Sequence, residues 1–254
     1  MTIPDWQLPP GVDRGLWDYL HAEDMIRDYD AQVLASPLAM ADLAFCERHF
    51  PQPGRLLDLG CGTGRLCRHF AARGYDCLGV DLSSAMLETA GQNTPVSLAE
   101  RMHWLLANIA EPLPLADQSF DYIACLYSTL GMIRGPEHRA AVLSNIGRLL
   151  RPEGCAVVHV HHRYYRGLGY RQILRQWWLT QLGQSQAGDI TMPQAYAGAP
   201  LTIHHFTRSE LRQLVHDQGL SITEWFALDE QGQSAHGLRI YGWLIALRHS
   251  SSAD

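Results

Sequence analysis

Leu56–Leu66, LLDLGCGTGRL, is the stretch whose reading decides the fold. Leu56, Leu57, Asp58 and Leu59 read as a buried strand, and RLCRHFAARG from Arg65 onward reads as a helix, so Gly60, Gly62 and Gly64 occupy a strand-to-helix turn. Glycine permits positive φ and carries no Cβ, so such a turn lets backbone N–H groups come close to a ligand, and a nucleotide-type cofactor is its natural occupant. Asp81 closes the next strand, DCLGVD, about twenty residues on, where an acidic residue in a βαβ unit accepts from ribose hydroxyls. The spacing is G-x-G-x-G, with Arg65 where a dinucleotide fingerprint has its third glycine. Asp58 also sets a carboxylate beside the turn, which suits an ammonium-bearing ligand better than a pyrophosphate.

Working outward, the same alternation continues. SSAMLETAGQ reads as helix, MHWLLA and FDYIACL as strands, PEHRAAVLSNIGRLLRPEG as a helix begun by Pro136 and ended before Gly154, and CAVVHVH as a strand. The expected fold is α/β, a doubly wound, mostly parallel seven-stranded sheet with helices on both faces and an antiparallel last strand. Residues 12–50 read as helices broken near Ser36 and Pro37. From Arg163 to about Thr202 no single period holds, which points to a functional insertion. Thr207 and Glu210 match a capping box, and SITEWFAL and RIYGWLIALR close the chain as strands. One domain is expected across 1–254: a helical cap at 1–50, a cofactor-binding core at 51–162, a substrate-side insertion at 163–202, and a helix with two strands at 203–254.

Composition removes several classes. All 20 positive charges are arginine, since no lysine occurs, so P-loop ATP chemistry and lysine Schiff-base chemistry have no residue to carry them. The net charge of −6 offers no overall attraction to nucleic acid. The six cysteines include no C-x-x-C and fall largely in apolar segments, as reduced buried thiols do. No apolar run is long enough to span a bilayer and the start has no signal-peptide pattern, so a cytoplasmic chain with no membrane partner is expected.

Taken together, LLDLGCGTGRL, GVDLSSAML, ANIAEPLPLADQSFDYIACL and IGRLLRPEGCAVVHV resemble the class I, seven-strand Rossmann-like S-adenosylmethionine (SAM)-dependent methyltransferases, over roughly Arg55 to His161. The resemblance implies that Gly60, Gly62 and Gly64, with Cys61 and Thr63 between them, pass under the methionine part of SAM. Asp58 would support that turn and the amino group, Asp81 take the ribose, and Leu82 and Met86 contact adenine. Where the family usually has an acidic residue for the adenine amine, this chain has Asn108 followed by Ile109, and Asn108 Oδ1 can still accept. Tyr127 and Ser128 would run beneath the sulfonium and methyl group.

Methyl transfer is an in-line displacement at an activated carbon, so alignment and water exclusion matter more than a covalent catalyst. In HVHHRYY, His161 and His162 are candidate general bases, with His161 preferred at a strand's carboxyl end and His159 a candidate core histidine. Tyr127 joins them as a catalytic candidate. His204 and His205 form a second pair, but without a zinc-binding frame no metal is expected. Trp17, Tyr19 and Tyr29, and Tyr164, Tyr165, Tyr170, Trp177, Trp178 and Tyr196, are candidates to close over cofactor and acceptor, with ordinary packing as the alternative for each. The expected activity is methyl transfer from SAM to oxygen or nitrogen of a small metabolite, yielding S-adenosylhomocysteine, by a monomer or homodimer. The alternatives are a tRNA-modifying methyltransferase and a SAM-binding regulatory protein.

Overall fold

The computed structural model describes residues 3–22, 26, 29–30, 36–184, 186–195 and 199–250, with the backbone alone at 193–195 and 199. Tyr196 lies outside the described residues. Nine strands are described: β1 (Arg55–Leu59), β2 (Asp76–Asp81), β3 (Met102–Leu106), β4 (Phe120–Cys125), β5 (Leu150–His161), β6 (Asp189–Ala195), β7 (Ala199–His204), β8 (Leu220–Leu228) and β9 (Gly242–His249). Seven of them form one sheet in the order β3-β2-β1-β4-β5-β9-β8, and β6 and β7 form a separate two-stranded ribbon. Strands β1 to β5 run parallel, whereas β9 is antiparallel to both β5 and β8. The chain reverses its direction of travel across the sheet between β1 and β4, which opens a crevice at their carboxyl ends.

Strands buried on both faces must be apolar on both faces, and β1 shows how that is met. Leu57 and Leu59 join Ile123, Cys125, Val158 and Val160 in one core with Val142, Leu143 and Ile146 of the helix Pro136–Leu149. Leu56 faces the opposite way, with Ala124 and Val157, against Phe45 and Cys46 of α2 and Leu66, Cys67 and Phe70 of α3. Here α2 is Pro37–His49 and α3 is Arg65–Ala71. Ser36 caps α2 by accepting the Ala39 N–H at 3.4 Å, with Pro37 at the first turn, so the break read from the sequence is a helix start. A third, smaller core brings Leu16 and Tyr19 of α1 (Arg14–Leu20) together with Met86 of α4 (Ser84–Gln92) and Leu201 and Ile203 of β7.

Two expectations are corrected. The helix expected to run to Gly154 ends at Leu149, and residues 150–154 already belong to β5. Leu150 pairs with Phe120, the register slips, and pairing resumes at Tyr122 with Cys155. Pro152 opposes helix at Arg151, and a Cβ on Gly154 would lie 2.6 Å from Leu150 Cδ1 and 2.9 Å from the Asp121 carbonyl. The insertion is also regular: between β5 and the helix Arg208–His216 it folds as a helix, Tyr170–Gln181, and the β6–β7 hairpin. Pro193 and Pro200 hide the hairpin from sequence, since proline within a run argues against a strand, yet a two-stranded ribbon consists of edges and tolerates it.

Candidate functional site

At the carboxyl end of β1 the chain turns with φ of +75° at Gly60, +52° at Gly62 and +77° at Gly64. The N–H groups of Gly60 and Cys61 donate to the Val80 carbonyl at 2.8 and 3.0 Å, which ties the turn to β2. The three glycines serve different needs. A Cβ on Gly60 would sit 2.5 Å from Thr129 Cγ2, and one on Gly64 would sit 2.3 Å from the Trp104 ring. Gly62 has more room, with Tyr29 3.4 Å from its would-be Cβ, and its N–H donates to Asp81 Oδ2 at 2.8 Å. Asp81 Oδ1 accepts the Ser83 N–H at 2.9 Å, so the carboxylate at the end of β2 is held by backbone on both oxygens.

These groups open on a cavity of about 970 Å³, counting its mouth. Asp58, Gly60, Cys61, Gly62, Arg65 and Asp81 line its polar side, while Leu82, Met86, Asn108 and Ile109 line a more apolar slot beyond Asp81. Leu16 and Tyr19 of α1 pack with Met86 over the slot, and Tyr29 and Tyr127 also line the cavity. Tyr127 and Ser128, immediately after β4, both hold positive φ, +52° and +63°, a costly conformation for non-glycine residues that clusters at ligand sites. Tyr127 lines the cavity, which matches that pattern, and Ser128 Oγ behind it is buried with no hydrogen-bond partner among the described residues.

Burial dominates the electrostatics. Asp58 is pushed up to about 7 by desolvation, with Arg65 opposing the shift and Asp81 and Asp42 adding to it. Asp81 is also raised by burial, restrained by the N–H bonds it accepts from Ser83 and Gly62. A cavity with two reluctant carboxylates on one wall is prepared for a ligand that brings positive charge and hydroxyl donors.

Most sequence candidates meet here, and several do not. Thr63 and Gly64 lie off the cavity wall: Thr63 donates to Asp30 Oδ1, and Gly64 starts α3 in the left-handed conformation. Asn108 reaches the wall, but its amide is engaged, Oδ1 accepting from Ala110 N–H at 3.0 Å and Nδ2 donating to the Pro10 carbonyl at 2.9 Å. It braces the loop after β3 against the N-terminal segment. His161 and His162 are not on the wall. His161 is buried between His205, at 5.0 Å ring to ring, and Tyr241, at 4.6 Å, and desolvation holds it well below its ordinary range. His162 packs on Trp243, with Nδ1 3.2 Å from the Ile240 carbonyl. His159 is a core histidine, fully buried with Nδ1 2.7 Å from Asp42 Oδ1.

His204 sits between two carboxylates, Nδ1 at 2.9 Å from Asp189 and Nε2 at 2.7 Å from Glu210, and so fastens the hairpin to the helix Arg208–His216. Of the candidate closing aromatics, Tyr19 and Tyr29 reach the cavity and Trp17 packs in the third core beside it, whereas Trp177 and Trp178 are half exposed, neither lid nor core. Arg65 and Leu16 were missed by sequence reasoning, although Tyr19 on the same helix was among the expected closing aromatics. Arg65 carried a signal only as the residue that broke the dinucleotide fingerprint, and Leu16 carried none, because its contact depends on the hairpin behind it.

A family model described as a methyltransferase domain matches residues 56–154. The chain is 30% identical over 118 residues to the putative methyltransferase YqeM of Bacillus subtilis, covering 46% of this chain and 47% of that protein. It is 28% identical over 144 residues to a dTDP-3-amino-3,6-dideoxy-alpha-D-glucopyranose N,N-dimethyltransferase of Streptomyces fradiae, covering 56% and 51%. The chain thus spans about half the length of these curated relatives. Among solved structures, 1,6-didemethyltoxoflavin-N1-methyltransferase of Burkholderia thailandensis, with 1,6-didemethyltoxoflavin and S-adenosylhomocysteine bound, superposes with a TM-score of 0.62 at 17% identity, over 99% of this chain and 94% of that one. With the glycine turn, Asp81 and the strand order β3-β2-β1-β4-β5-β9-β8 gathered around it, the segment 56–154 matches a methyltransferase domain, and the chain has the Rossmann-like fold of the SAM-dependent methyltransferases.

Proposed function

We propose that the chain transfers the methyl group of SAM to an oxygen or nitrogen of a small-molecule metabolite. The observation that carries this reading is the wall on which Asp81, the Gly60–Gly62 turn and Asp58 stand together. The residues fit SAM. Each Asp81 oxygen holds one backbone N–H and keeps acceptor capacity for the two ribose hydroxyls. Asp58, pushed up to about 7 by burial, gains a reason to ionise beside an ammonium group. Leu82, Met86 and Ile109 offer an apolar slot of the kind an adenine ring fills.

When bound, SAM supplies a methyl group on positively charged sulfur. The chain's own tasks are then to orient the acceptor and keep water out. Leu16 and Tyr19 cover the crevice, and the hairpin residues Leu201 and Ile203 back them. Of the three candidate catalytic residues, Tyr127 alone is on the wall, where its hydroxyl, 3.4 Å from Ser36 Oγ, stands ready to orient an acceptor. The proposed transfer therefore uses no histidine base, which suits an acceptor that arrives with its nucleophile deprotonated or readily deprotonated. Two of the similar proteins named above are described as nitrogen methyltransferases of small molecules, which favours a heteroatom acceptor.

The test is incubation with methyl-labelled SAM against separated metabolite and RNA pools. Label in a small-molecule fraction is expected. Label in RNA alone would move the reading to a tRNA-modifying enzyme, and SAM binding without transfer to either pool would move it to a regulatory protein.

A further inference from the structure

The helix Tyr170–Gln181 is built inside out. Its inward side carries Gln176 and Thr180. Gln176 is fully buried, accepting the Gly188 N–H at 2.7 Å and donating to the Asp189 carbonyl at 3.1 Å, and Thr180 Oγ1 takes a bond from Arg163 at 3.0 Å. Its outward side carries Tyr170, Leu174, Trp177 and Trp178, with Leu182 just past the end, exposed by 76%, 52%, 44%, 54% and 64%. Half of the chain's ten exposed large apolar side chains among the described residues thus stand on these thirteen positions. At 100° per residue, Tyr170, Leu174, Trp177 and Trp178 fall on one arc, and Arg171 and Arg175 flank it on one side.

Charge singles out the same surface. Between Glu153 and Asp189 the chain has no acidic residue, although it holds 26 of them in all. Arg163 is neutralised by Glu210, and Arg166 lies in a shallow hollow with Asp229 and Glu230. Arg171 and Arg175 make no hydrogen bond or ion pair with a described residue. An acidic protein therefore presents one aromatic stripe edged by unpaired guanidinium groups.

We infer that this face docks on an anionic lipid bilayer surface, the helix lying in the plane of the headgroups. Tryptophan and tyrosine rings combine an apolar body with a polar tip and prefer the headgroup level, and flanking arginines pair with lipid phosphates. Among the described residues no helix is long and apolar enough to cross a membrane, so the association is peripheral. This departs from the absence of a membrane partner expected from the lack of a spanning apolar run, because a peripheral face needs no such run. The inference does not depend on the methyl-transfer reading. It does place the docking helix next to the hairpin that backs α1 over the cavity, since Gln176 grips both strand-entry residues Gly188 and Asp189.

Vesicle co-sedimentation of the full chain tests it, comparing vesicles of phosphatidylglycerol and phosphatidylcholine with vesicles of phosphatidylcholine alone. The chain is expected to partition at least about tenfold more strongly onto the anionic vesicles and to be released by salt. Arg171→Gln with Arg175→Gln should weaken partition about 25-fold, at about fivefold for each arginine. Trp177→Ser with Trp178→Ser should weaken it at least about tenfold. All four side chains are exposed, and unchanged circular dichroism and SAM affinity check that the variants are folded. Equal partition onto both vesicle types, or anionic binding that neither pair of substitutions alters, would overturn the inference. So would a dimer in light scattering that the tryptophan pair dissolves, or capture of RNA, lost with the arginine pair, by a chain that ignores vesicles.

Discussion

Asp58 is the residue at which the cavity's electrostatics become measurable. Its folded value near 7 lies above the ordinary 3.8, so between these the native state holds a proton that the unfolded chain has lost. Stability therefore falls as pH rises from about 4 and the full cost, roughly 3–5 kcal/mol, is present above about 7. Asp58→Asn should accordingly raise the melting temperature of the ligand-free chain at pH 8 while weakening SAM binding. In the wild type, SAM affinity should fall toward tenfold per pH unit below about 7, as binding must first remove that proton. Titration calorimetry across pH checks both; a pH-independent affinity would detach Asp58 from the ammonium group. His161 makes the opposite case. Burial lowers its titration well below 6.5, so the unfolded chain binds the extra proton and stability is lost as pH drops through and below that value. His161→Ala should flatten that acid loss of melting temperature and leave the acidic limb of any pH–rate profile in place. A fall in kcat of about 10²-fold with loss of that limb would return His161 to the chemistry. Sequence alternation put His161 on the correct strand end, but alternation says only which face a side chain takes, and here the ring is enclosed by His159, His205 and Tyr241 rather than open to the crevice.

At the level of elements, the glycine turn, Asp81 and the βα alternation were legible because each is local: strand period, turn chemistry and spacing are all written within about thirty residues. The capping box Thr207–Glu210 was legible for the same reason, and both of its reciprocal bonds form. The hairpin was not, since its strands are held by side chains far apart in sequence. Asp189 and Glu210 clasp His204, Glu210 also takes Arg163, and Arg134 reaches Asp189 at 2.8 Å. His204 and the neighbouring arginines depress both carboxylates against the pull of burial, so this clasp contributes fully above their ordinary range and is lost as pH falls below it. Glu210→Gln removes the charge while keeping the side chain's shape. It should lower stability by about 2 kcal/mol and the melting temperature by about 5 °C. Calorimetric scanning at neutral pH is the check, and an unchanged melting temperature would show that the hairpin is held by its apolar contacts alone.

Across the whole molecule, three cores divide the labour: two sandwich the sheet, and the third, built from α1, Met86 and the hairpin, stands over the crevice. The first two follow from apolar runs in the strands and were readable in outline. The third joins segments roughly 190 residues apart, and no periodicity in either one predicts the other. The account rests on one claim, that the cavity under this third core is a SAM site with Asp81 as its ribose ligand. Titration calorimetry of SAM into the wild type and Asp81→Ala at pH 8 tests it most directly. The account predicts saturable binding to the wild type and an affinity loss of about 1.5–3 kcal/mol, some ten- to 150-fold, in a folded Asp81→Ala chain. No binding to the wild type, or the same affinity in both, would contradict it.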